Sequence, residues 1–169
     1  MTHVVDADVL ATIQRAGRCA AVAQLGQLPI IVTDVVWDEL TVGALADGAS
    51  PATVDEMQGL LEKIARMPTK IAPQSPEAET FGKLQAPPPT EDAGEHSVIA
   101  VTLHRPGTTA VLLDRRALRR GVEELRGRVL SLHGWLEALL QRGLPRADAD
   151  AVSSHLCATQ KPVRAPLWW

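Results

Sequence analysis

Short apolar runs rich in Val, Ile and Leu interrupt a chain whose other hydrophobic residues fall mostly at helical spacing. The first run, Val4-Val5, ends in Asp6-Ala7-Asp8 and passes into Val9-Leu10-Ala11-Thr12-Ile13. This pattern predicts a short strand, then a helix extending to about Leu25. Pro29-Ile30-Ile31-Val32 is a β-branched run suited to a buried strand. Thr33 or Asp34 can cap the helix that follows, Val35 to Leu40. Gly43, Gly48 and Ser50 mark a loop, and Ser50-Pro51 then opens a helix with Ser at the N-cap and Pro in the first turn. Val54, Met57, Leu60, Leu61, Ile64 and Met67 form its apolar stripe.

A weak strand, Thr69-Lys70-Ile71-Ala72, follows, and Ser75-Pro76 repeats the helix-start signal before Glu77 to Leu84. Ala86-Pro87-Pro88-Pro89-Thr90 must be extended, because proline disfavours helix at the preceding residue. Helical pattern resumes from Asp92 to His104, and Pro106-Gly107 makes a turn. Thr109 to Leu113 reads as a fully buried strand. An Arg-rich helix runs from Arg115 to about Gly121, Arg128 to Ser131 is a last strand, and Trp135, Leu136, Leu139 and Leu140 stripe a helix after it. Residues 1–145 read as one domain, with 146–169 a helical extension and tail packed on it. Strands separated by helical patterns predict an α/β fold with a mostly parallel sheet and helices on both faces. Ligands of such sheets sit beyond the C-terminal ends of the strands.

Composition narrows the function classes. The 169 residues are 46% hydrophobic and 22% charged, ordinary for a soluble domain. MTHVVDADVL has no basic segment before an apolar run, so no export signal is expected, and no stretch approaches the roughly 18 apolar residues of a membrane helix. Cys19 and Cys157 lack zinc-site spacing and read as two reduced, buried thiols in a cytoplasmic protein. A net charge of −3 and an aromatic content of 3% argue against a polycation or a base-stacking platform.

Asp is disfavoured in strands, yet Asp6 and Asp114 each directly follow an apolar strand run. Two acids at one sheet edge repel unless a cation lies between them. Glu39, about one turn into the helix after the second strand, and Glu95, in the first turn after the prolines, bring the set to four carboxylates. Hard oxygen ligands suit Mg²⁺ or Mn²⁺. Each acid also has a plain structural reading. Asp6 and Asp8 fit helix caps, Glu39 a solvated helix residue, Asp92 and Glu95 a capping box, and Asp114 the cap of the helix at Arg115.

The joint placement resembles the PIN-domain family, which includes the VapC-like toxins of toxin–antitoxin pairs. HVVDADVL resembles that family's opening strand with its first acid, Asp6. IIVTDVVWDEL is similar to its second strand and helix, ending in a Glu-Leu pair that supplies Glu39. EDAGEHSVIAVTL resembles the Gly-Glu helix of one branch, giving Glu95 with Asp92 nearby, and VLLDRRALRRG the strand and basic turn that supply Asp114. VLSLHGWLEALLQRGLP resembles that branch as well, so the likeness spans residues 3 to 143. It implies a three-layer α/β/α sandwich and Mg²⁺- or Mn²⁺-dependent cleavage of RNA. Asp6, Glu95 and Asp114 would hold the metal, Glu39 would position a ligated water or a second ion, and Asp8 and Asp92 would stand beside them. It also implies a homodimer and a small antitoxin partner. Asp8 stands where Ser, Thr or Asn is frequent, and Leu113 where a second acid is frequent.

Arg115, Arg116, Arg119 and Arg120 follow Asp114, and 115/119 and 116/120 share helix faces. The first three are the expected RNA contacts, since Arg binds phosphate through paired hydrogen bonds. An ordinary solvated helix paired to Glu123 and Glu124 fits them as well. His96 is a candidate proton donor beside Glu95, and Trp168-Trp169 is expected to pack on the body or on a second subunit. Two other functions remain open. A PIN-like binding or assembly module with a weakened metal site is favoured by Leu113. A haloacid-dehalogenase-like phosphatase fits Asp6-Ala7-Asp8-Val9 and, loosely, Thr33, but lacks the later lysine and acidic pair.

Overall fold

In the computed structural model, which describes residues 1–86 and 93–159, the apolar runs pair as one parallel sheet. Its strands are β1 (Thr2–Val5), β2 (Ile30–Ile31), β3 (Thr108–Leu112) and β4 (Val129–Ser131), in the spatial order β2-β1-β3-β4. Val5 pairs with Val111, and Leu112 with Ser131. Every residue of β3 is buried, as a parallel strand covered on both faces must be. The segment containing Pro87, Pro88, Pro89 and Asp92, and the tail containing Trp168-Trp169, lie outside the described residues.

The connections are helical. Helices α1 (Ala7–Arg15) and α2 (Cys19–Ala23) join β1 to β2; α3 (Asp34–Asp38), a π turn (Glu39–Gly43), α4 (Ala44–Ala46), α5 (Pro51–Ile64), α6 (Pro76–Leu84) and α7 (Ala93–His104) precede β3. Helix α8 (Arg115–Glu124) leads to β4, followed by α9 (Leu132–Leu140) and α10 (Arg146–Thr159). Helices α3, α7 and α8 pack beside one another, as do α1, α9 and α10, and members of both groups touch β3. The fold is an α/β sandwich with a parallel sheet between helical layers. Helix α10 adds Ala149, Val152 and Leu156 to the core.

Several sequence expectations are corrected. The helix expected to reach Leu25 breaks at Gly17, whose φ of +67° suits a glycine C-terminal turn. Thr69 to Ala72 forms no strand, only a single bridge between Thr69 and Thr33. Met67 is 71% exposed, because α5 stops at Ile64 and Arg66 turns the chain with a φ of 68°. The buried strand starts and ends one residue earlier than expected, so Leu113 lies just past it. Of the two thiols expected to be buried, Cys157 is only half-buried, whereas Cys19 is a buried thiol whose pKa burial pushes up to about 12, with the nearby Glu56 charge adding to the effect. Among the described residues no helix is long and apolar enough to cross a membrane.

Helix α7 is buried from Gly94 to Thr102 without a break, so it has no face to give to water. Its polar groups must find partners inside. The backbone N–H of Val36 donates to Thr33 Oγ1 at 3.2 Å, where Thr33 caps α3. Thr33 and Ser97 hydroxyls lie 2.7 Å apart, and Ser97 Oγ donates to the Gly94 carbonyl at 2.6 Å. Since the one proton of the Ser97 hydroxyl goes to Gly94, Thr33 is the donor to Ser97. This one-directional chain ties the first turn of α7 to the end of β2. At the other end, the Arg128 guanidinium donates to the Thr102 carbonyl at 2.7 Å and reaches those of Thr108, Leu103 and Arg105 at 3.3 to 3.4 Å.

Buried polar groups make this part of the fold testable. Thr33→Val leaves Ser97 without its donor and Val36 without its acceptor, so it should cost about 2–3 kcal/mol in denaturant unfolding. Combined with Ser97→Ala, the loss should be smaller than the two single losses added; strict additivity would break the chain. His3 on β1 has its pKa lowered from 6.5 by burial, then by the amino terminus and Arg142, and His133 is lowered by burial despite Glu137. Burial disfavours the charged form of both rings, so as pH falls through about 6.5 the unfolded chain takes up protons more readily than the native chain. Melting temperature should therefore fall as pH drops from about 7.5 to about 5, and less steeply in His3→Gln.

Candidate metal centre

All four strands run the same way, so their C-terminal ends share one edge of the sheet. At that edge each strand hands over to a helix through a single polar residue. Thr33 accepts from Val36 N–H, Asp114 from Arg116 and Ala117 N–H, and Ser131 from Gly134 N–H. Asp6 holds the same position before α1, in the same extended conformation (φ −81°, ψ 158°), but its side chain makes no capping hydrogen bond. It is also only 5% exposed. The capping reading that suits Asp6 in the sequence does not describe its side chain here.

The Asp6 carboxylate points instead to the first turn of α7. A Cβ placed on Gly94 would lie 3.4 Å from Asp6 Oδ1 and 2.5 Å from Glu39 Oε2. Two oxygens that close to one point are no more than about 6 Å apart. Glu39 arrives there from the first residue of the π turn, a wide turn that is frequent near functional sites, and its residue is exposed. Glu95, next to Gly94 and 5% exposed, adds a second buried carboxylate to the same turn of α7. Burying carboxylates is costly unless charge or hydrogen bonds compensate.

Asp114 stands at the same edge, on the neighbouring strand, but is exposed. Its cap bonds, 2.6 Å to Arg116 N–H and 3.2 Å to Ala117 N–H, both use Oδ1. The capping reading of Asp114 is therefore correct, and it leaves Oδ2 outside the cap. Asp8 lines a different space, a cleft of about 650 Å³ that it shares with Glu39, Arg15, Asp47 and Glu56. Asp92 lies outside the described residues.

Arg115, Arg116 and Arg119 are exposed along α8. Arg120, left out of the expected RNA contacts, turns inward: its Nη1 lies 3.0 Å from Nε2 of His96, which is 1% exposed. A guanidinium has no acceptor, so Nε2 accepts and the ring proton sits on Nδ1. His96 Nε2 is thus occupied by Arg120. The 116/120 spacing along one helix face is the only signal in the sequence that Arg120 belongs near this edge.

The donor set is oxygen-rich, which fits a hard divalent cation. Among the described residues, no three His, Cys, Asp or Glu side chains are drawn into a group ready to hold a metal ion. Asp6 and Glu39 are brought together, Glu95 is buried on the same turn of α7 as Gly94, and Asp114 shares the edge without being drawn in. No protein-family model, curated protein or solved structure matches this chain.

Proposed function

We propose that the chain is a PIN-domain-like ribonuclease that cleaves RNA phosphodiester bonds with Mg²⁺ or Mn²⁺. The observation carrying this reading is Asp6: alone among the four strand-to-helix residues its side chain does not cap its own helix, and it faces a second carboxylate. A bound divalent ion would lower the pKa of a water and neutralise charge on the phosphate. Asp6, Glu95 and Asp114 would be the ligands, and Glu39 would position a ligated water or a second ion. Arg115, Arg116 and Arg119, exposed on the helix that starts at Asp114, would bind the flanking phosphates. The acidic cleft beside Glu39 repels phosphate, so the RNA strand would lie over α8. On the same reading the protein is cytoplasmic, forms a homodimer and pairs with a small antitoxin.

A second reading rests on Leu113, an apolar residue beside Asp114, and on Asp114 Oδ1 being committed to its cap. It makes the chain a binding or assembly module with a weakened centre. Calorimetry with Mn²⁺ separates the two, because an inert scaffold need not bind the ion.

Purified protein should cut RNA only with Mg²⁺ or Mn²⁺ present. Asp6→Asn and Asp114→Asn should each abolish cleavage while circular dichroism stays native, since Asp6 caps no helix with its side chain and Asn at 114 caps about as well as Asp. Cleavage in EDTA, or in both variants, would rule the proposal out. Replacing Arg115, Arg116 and Arg119 with Gln should weaken RNA binding and flatten its salt dependence, by roughly 0.7 in log–log slope for each phosphate the protein no longer neutralises. An unchanged slope would place the RNA elsewhere.

A further inference from the structure

We propose that Gly94 is the positioning residue of the carboxylate centre: its missing side chain is the space in which the Glu39 carboxylate stands beside that of Asp6. Glycine is a poor choice here on local grounds. It sits in the second position of a helix buried along its length, where alanine would be the better helix former. The surroundings explain the choice. A Cβ at 94 would be in ordinary contact with Val36 Cγ2 at 3.5 Å and would graze Asp6 Oδ1 at 3.4 Å, but would overlap Glu39 Oε2 at 2.5 Å.

Only one of those three neighbours is forced to move, and it is the far end of a long side chain. Val36 is wholly buried and Asp6 nearly so. Glu39 is an exposed residue whose carboxylate ends a flexible side chain. Filling the gap therefore leaves the core intact and pushes one carboxylate away from the other. Gly94 acts through Glu39, without touching the substrate itself.

The consequence for metal binding rests on the ribonuclease reading, whereas the steric claim rests on distances alone, and the experiment separates them. Gly94→Ala should fold with a melting temperature close to the parent's, the gain in helix propensity being offset by the displaced Glu39, and should bind Mn²⁺ about ten-fold more weakly by calorimetry, the range seen when a ligand loses its support. In a Glu39→Ala background the same substitution should cause no further loss of Mn²⁺ affinity, and should raise the melting temperature by a few degrees through helix propensity. Glu39→Asp, one methylene shorter, should restore part of the affinity lost in Gly94→Ala while weakening the parent.

Equal effects of Gly94→Ala with and without Glu39, on affinity and on melting, would overturn the proposal. So would a Gly94→Ala protein that binds Mn²⁺ like the parent. Should the parent bind no Mn²⁺ and cut no RNA, the ribonuclease reading fails, and the melting cycle between positions 94 and 39 still decides the steric claim. Additive melting effects would then refute it.

Discussion

The constraint on which the rest depends is that α7 has no solvent face. A helix that is apolar all round belongs in an interior, and Val98, Ile99, Ala100 and Val101 put it there. Burial then dictates terms to every polar group the helix carries. Ser97 closes a hydrogen-bond chain from Val36 through Thr33 back to the Gly94 carbonyl, and Arg128 gathers the carbonyls at the far end. Each buried polar group left without a partner would cost about 1–3 kcal/mol, so these ties also hold the helix in register against the sheet. Gly94 and Glu95 inherit their placement from that register. A carboxylate delivered by a loosely held segment would lack it.

A parallel sheet supplies the second half of the arrangement. Because all strands point one way, residues far apart in sequence, 6, 33, 114 and 131, end at one edge, where the helix amino termini also gather. Three of the four serve those termini. The fourth, Asp6, turns away from its own helix toward the first turn of α7, a departure from the local rule that the proposed function accounts for. Charge divides across the same edge: acids line the cleft toward α1 and α5, while arginines follow Asp114 on α8. The two flanks of the edge therefore carry potentials of opposite sign.

Much of this is legible in the sequence, for identifiable reasons. Ser50-Pro51 and Ser75-Pro76 announce helices through short-range stereochemistry, and both serines cap as expected. The runs of β1 and β3 are legible because burial on both faces leaves no polar alternation to confuse the pattern, whereas the run expected to be a buried strand at Pro29 to Val32 pairs only at the half-buried Ile30–Ile31. The misses share a different cause. Met67 continues the periodicity of α5, but a positive φ at Arg66 ends the helix first. Thr69 to Ala72 has strand composition, yet only Thr69 reaches a partner, so propensity yields to the geometry of the edge. Glu39 reads as part of a plain helix, whereas the chain widens into a π turn at that residue, which local composition does not signal.

The centre is harder to read because what matters there is partly an absence. Acids can be counted along a chain. Their meeting depends on a hydrogen where a methyl group could be, at a residue 55 positions from the carboxylate it accommodates. Arg120 presents the converse difficulty. Its charge is visible and fits a solvated helix, because helical periodicity cannot tell that one turn beyond Arg116 the side chain reaches a buried imidazole. Both cases obey one rule. Spacing within an element predicts which residues share a face, while the identity of what lies opposite is fixed by packing between elements. A glycine inside a buried helix, where propensity argues against it, is the signal that an opposing group needs the room.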